Sequence, residues 1–138
     1  AADEAILAAA DGLHERVREA MDRQAIKQYL DAVWGVVADA NRYFAGEEPW
    51  TERKTDPARM ATILCVTAGV VRQVAILARP VVPDGAGRLL DLLSVPGDVR
   101  DFAALGAGGR LTAGVELPMP TGVFPRYVEP EADEGAKS

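Results

Sequence analysis

The chain has 138 residues, 49% of them hydrophobic, which is one domain's worth of material and enough to bury a core. One cysteine excludes an internal disulfide and a cysteine-based zinc knuckle, one histidine excludes a multi-histidine metal site, and this usage points to a reducing, cytosolic setting. A formal charge of −6 excludes coating nucleic acid by electrostatics alone, but Glu129, Glu131, Asp133 and Glu134 put part of that charge in a tail, so a selective reader of a few bases remains open.

From Asp3 to Met21, apolar residues Ile6, Ala10, Leu13, Val17 and Ala20 recur at three and four, which predicts one helix. Asp22 is placed to cap a second, whose stripe is Ile26, Leu30, Val33, Val37, Ala40 and Phe44, with Tyr29 and Trp34 flanking and Trp34 expected in the core. Gly46 stops that helix, and the residue before Pro49 is biased away from helical geometry, so Glu47 to Thr55 reads as a loop holding Trp50 in a turn.

Asp56-Pro57 is a start signal, with proline at the first helical position, where its missing amide has no partner to lose. The third helix, with Met60, Ile63, Leu64, Val70, Val74 and Leu77, is apolar nearly all round and is expected at the centre of a bundle. Cys65 is expected as a small buried hydrophobe, and Arg72, Gln73 and Arg79 are polar exceptions. Pro80 and Pro83 restart the chain into a fourth helix carrying Leu89, Leu90, Leu92 and Leu93, and Asp98 begins a short turn through Phe102.

The division expected is a helical domain over 1–105, an extended tail over 106–128 packing on the bundle, and a disordered acidic tail over 129–138. No apolar run is read as reaching the roughly 20 residues of a membrane span, so a soluble chain with no membrane partner is expected. The start, Ala-Ala-Asp already in helical pattern, is expected to be a cut from a longer polypeptide.

Trp50 is the candidate site. An indole on a polar connection suggests a stacking platform as readily as a core plug. Arg42, Arg53 and Lys54 bring positive charge near it; each alone reads first as a solvated charge, while together they are candidate phosphate or base contacts. Arg59 is also near; Asn41 and Tyr43 read first as structural, and His14 as a surface histidine. No residue set suggests catalysis or a metal.

Three stretches together, "QYLDAVWGVVADANRYFAGEEPW", "LARPVVPDGAGRLLDLL" and "GVFPRY", resemble the helical anticodon-binding domain of the methionyl-tRNA synthetase family, from about Asp3 to Tyr127. The resemblance implies an all-α bundle of the class I aminoacyl-tRNA synthetase anticodon-binding type with an extended C-terminal tail. It implies anticodon recognition for a cytoplasmic methionine-tRNA ligase, with the methionine tRNA's anticodon loop and the catalytic domain of the same polypeptide as partners. Pro49 and Trp50 stand where the family places a tryptophan against the cytosine that opens the anticodon. Catalysis, with ATP and Mg, would lie in another domain, since the family's His-x-Gly-His and Lys-Met-Ser-Lys-Ser motifs are not here.

In the family a further helix, falling before Ala1, carries an Asn and an Arg that read other bases. Its absence is expected to leave an apolar groove along the third helix. Two alternatives stay open: the anticodon domain of another class I synthetase, and a helical protein-interaction module with no RNA role, in which Trp50 is an interface anchor. An indole exposed beside Arg53 and Lys54 would favour RNA.

Overall fold

A computed structural model describes residues 1–129. Its helices are α1 (Ala2–Asp11), α2 (Leu13–Asp22), α3 (Ile26–Glu47), α4 (Pro49–Thr55), α5 (Pro57–Ala78) and α6 (Pro83–Leu92). Single 3-10 turns come next at Gly97–Val99, Phe102–Ala104 and Ala107–Gly109, and the described residues beyond them have no regular structure. The acidic end expected to be disordered lies, past Glu129, outside the described residues.

The single first helix expected from periodicity is interrupted at Gly12, the weakest helix former in the run. The interruption is one residue long, and Gly12 keeps right-handed dihedrals, so Ile6, Ala10, Leu13, Val17 and Ala20 still bury on one side. Asp22 does not cap the next helix. It is the last residue of α2, which closes instead with Ala25 N–H donating to Ala20 O at 2.8 Å and Gln24 N–H to Met21 O at 2.8 Å. This closure needs a left-handed residue, and Gln24 supplies it at φ 56°. Gln24→Gly is expected to raise stability by about 0.5–1 kcal/mol in urea denaturation, because glycine takes that conformation without a Cβ clash.

The segment expected as a loop is helical. The residue before Pro49 does leave helical geometry, as expected, but Pro49 is itself the first residue of α4, by the same logic that puts Pro57 at the start of α5. Between α3 and α4 the chain turns at Glu48, left-handed at φ 44°, whose carbonyl accepts both the backbone N–H (2.9 Å) and the hydroxyl (2.7 Å) of Thr51.

Helix α5 is the centre of the assembly and packs against α1, α3, α4 and α6. It is long and apolar enough by length and composition to cross a membrane, which corrects the reading of the sequence. Ile63, Val70, Ile76 and Leu77 are each at most 1% exposed, as in the core helix of a bundle. Its N-terminal half has an open side, where Leu64 and Cys65 are exposed, so Cys65 is not the buried hydrophobe expected.

Arg72 and Gln73 are the buried polar pair of α5, and they hold the chain beyond α6. Arg72 donates to Ala104 O (2.6 Å) and Gly106 O (3.3 Å), while Gln73 accepts from Gly106 N–H (2.9 Å) and donates to Asp11 (2.7 Å). Arg110 returns to the same Asp11 at 2.8 Å. Gly109 lies so close that a Cβ there would fall 1.9 Å from Ala104 O. Farther on, Ser94 Oγ donates to Glu116 O at 3.0 Å, and the Phe124 ring lies against Gly85 of α6.

Candidate nucleic-acid interface

Trp50 occupies the first turn of α4 and is 57% exposed. Its ring leans on Phe44 of α3, with centroids 6.0 Å apart and planes tilted by 59°, so one side is backed and the rest is open. Pro49 is buried beneath the turn. Because the segment is a helix, Trp50, Arg53 and Lys54 fall at i, i+3 and i+4 and share one face. Both cations are exposed and make no ion pair among the described residues.

The other residues singled out from sequence separate. Arg42 is exposed and paired with Asp39 one turn away on α3. Asn41 is exposed. Tyr43 is buried and donates its hydroxyl to Asp3 at 2.7 Å, so its ring is not available for stacking. His14 is half-buried, its ring 5.8 Å from that of Phe102. Arg59 is engaged by two carboxylates: it donates to Asp3 (2.5 and 2.8 Å) and to Glu47 (2.5 Å).

That cluster of Asp3, Tyr43, Glu47 and Arg59 was not legible in the sequence, since Arg59 and Asp3 stand 56 positions apart. The Arg59 guanidinium, then the Tyr43 hydroxyl, holds the Asp3 carboxyl down at about 2. Burial first, then the Asp3 carboxylate, push Tyr43 up, and the bonds to Asp3 and then Glu47 push Arg59 up. A carboxyl lowered from 3.8 in the unfolded chain to about 2 adds stability that is present above pH 4 and lost as pH falls towards 2. The stability difference between the wild type and Asp3→Asn should therefore be constant from pH 7 to 5 and shrink below pH 4, measured by urea midpoints.

Trp34 is 53% exposed, not in the core. Helix α3 carries two apolar faces. Tyr29, Val33, Val36 and Tyr43 are buried, whereas Trp34, about 100° round the helix from Val33, lies with Val37 and Phe44 on the second face. With Val70, Val71 and Val74 of α5 and Leu89 of α6, that face lines an open groove of about 510 Å³. Helix α5 is thus incompletely covered, as expected from its pattern, and Phe44, which lines the groove, also touches the Trp50 ring. Among the described residues, no three His, Cys, Asp or Glu stand close enough to hold a metal ion.

The described residues form an all-helical assembly with an exposed indole and two exposed cations on one face of α4, and solved structures match the fold. Methionyl-tRNA synthetase of Mycobacterium tuberculosis in its free state superposes with a TM-score of 0.88 at 51% identity, over 94% of this chain and 26% of that one. The same enzyme bound to methionyl-adenylate superposes at 0.85, over 90% of this chain and 25% of that one. Methionine–tRNA ligase of Rhizobium meliloti is 59% identical over 130 residues, 94% of this chain and 25% of that protein, and that of Brucella suis 56% identical over 133 residues. The chain belongs to the family described as the anticodon binding domain of methionyl tRNA ligase, which matches residues 1–137. It spans about a quarter of the length of the curated relatives it matches.

Proposed function

We propose that this chain recognises the anticodon of methionine tRNA for a methionine–tRNA ligase of which it forms part, with Trp50 as the stacking surface. The observation that carries the reading is the shared face of α4: an open indole with Arg53 and Lys54 one turn away. Stacking on an indole stabilises a base by about 1–3 kcal/mol, and the two cations would meet the adjacent phosphates. Pro49 sets the turn that displays the indole, and Arg42, held by Asp39, is a weaker candidate for a phosphate.

The reaction itself, with ATP and Mg, belongs to the remainder of the polypeptide, which is the second partner of this domain. The apolar groove is the seat of a further helix of that polypeptide. Its support is the second apolar face of α3, which the described residues cover only in part: Phe124 lines the same groove, while Trp34 stays 53% exposed. A translation enzyme of this kind works in the cytoplasm.

The test is binding by the longer protein of methionine tRNA and of transcripts altered only at the first anticodon base. Affinity should fall by roughly tenfold or more when that position is made abasic, because stacking tolerates any base and is lost only with the base itself. Equal affinity for all the transcripts would remove the reading. Replacing Arg53 and Lys54 together by alanine should flatten the dependence of log K on log salt by about 1.4, two phosphate contacts to a single strand, for every transcript alike.

A further inference from the structure

The elbow that displays Trp50 is built from three separate helix ends, and one side chain joins them. Arg59 stands in the first turn of α5, just after the cap in which Asp56 accepts Arg59 N–H at 3.0 Å, so its backbone is fixed to the start of that helix. Its guanidinium reaches Asp3 in the first turn of α1 and Glu47, the last residue of α3. Tyr43, one turn before Glu47, closes the cluster by donating to the same Asp3. The arginine is 31% exposed, and Asp3 and Glu47 are 24% and 27% exposed, so all three are substantially withdrawn from water.

Directly after Glu47 come the left-handed Glu48, then Pro49 and Trp50. The direction in which α4 leaves α3 rests on one residue in a sparsely populated backbone region, which persists only where its surroundings hold it. On one side of that residue the turn is tied by Thr51 to the Glu48 carbonyl, and on the other by Glu47 to Arg59. A guanidinium offers a planar fork that fixes two carboxylates at defined angles, which a flexible ammonium does not.

We propose that Arg59, with Glu47 and Asp3, is a positioning device for the Trp50 platform: it fixes the exit of α3, and so the place and tilt of the indole offered to the RNA. Arg59 itself does not touch RNA. Its charge is spent on two carboxylates, although its sequence position beside Arg53 and Lys54 suggests a phosphate ligand. The inference rests on the anticodon reading of Trp50.

The experiment uses the longer ligase and measures KM for methionine tRNA together with the thermal midpoint. Glu47→Ala frees the α3 end and leaves the Asp3–Arg59 and Asp3–Tyr43 contacts in place, so it is the milder variant; Arg59→Ala opens the whole cluster. Each should raise KM for tRNA by about fivefold or more. Combined with Trp50→Ala, neither should raise KM beyond Trp50→Ala alone, because a device that acts through the indole has nothing left to position. Arg59→Lys should not restore KM, although it keeps the charge. Effects that multiply with that of Trp50→Ala, or a Glu47→Ala enzyme with wild-type KM, would overturn the positioning role. If Trp50→Ala itself leaves KM unchanged, the anticodon reading of this face fails, a result distinct from failure of the clamp alone.

Discussion

Truncating Leu77 to alanine should lower the stability of the chain by about 2–5 kcal/mol, the range for deleting a fully buried leucine side chain whose cavity the surroundings only partly refill. Leu77 is 0% exposed near the end of α5, in the main core cluster formed with α1, α2 and α3, and its carbonyl accepts the buried Tyr29 hydroxyl at 2.5 Å. Leu64→Ala on the same helix makes the contrast. Leu64 is 45% exposed on the open side, so its loss should stay within about 1 kcal/mol. Urea denaturation with an unchanged slope would give both values. Equal losses at the two positions would mean that α5 is not buried in the sense described.

Trp50→Ala should show the opposite balance. The side chain is 57% exposed and leans on one ring, so folding should change by about 1 kcal/mol or less. In the longer ligase, aminoacylation efficiency should fall roughly tenfold to a hundredfold, the equivalent of about 1–3 kcal/mol of lost stacking. Methionine-dependent exchange of pyrophosphate into ATP should persist, since that step needs no anticodon. If Trp50→Ala instead unfolds the domain while charging per folded molecule is unchanged, the indole is structural.

Much of the fold was legible because long helices with strong patterns leave few choices. Periodicity marked α5 as the central helix, and Asp56-Pro57 and Pro83 marked helix starts correctly. Pro49 was misread because a proline can end one helix and begin the next, and seven residues are too few for a period to show. The error matters for the site, since only the helix places Trp50, Arg53 and Lys54 on one face.

Trp34 was misplaced for a different reason. Periodicity detects apolar faces but not which of two adjacent faces has a partner, and α3 has one covered and one open. Arg59 was grouped with its basic neighbours, because ion pairs between residues 56 apart leave no local signal. Arg72 and Gln73 stood out as polar exceptions on an apolar helix, yet their partners, backbone groups of Ala104 and Gly106, are invisible to composition.

The central claim, that the indole of Trp50 stacks on an anticodon base, is tested most directly by its own fluorescence. With Trp34 replaced by phenylalanine, Trp50 is the chain's remaining tryptophan. Titration of the longer ligase, with any tryptophans outside this chain also replaced, by the anticodon stem-loop of methionine tRNA should quench that emission in step with binding measured on the RNA. A stem-loop lacking the first anticodon base should bind more weakly, by about 1–3 kcal/mol, and leave the emission unquenched at saturation. Full binding with unchanged Trp50 emission would contradict the account.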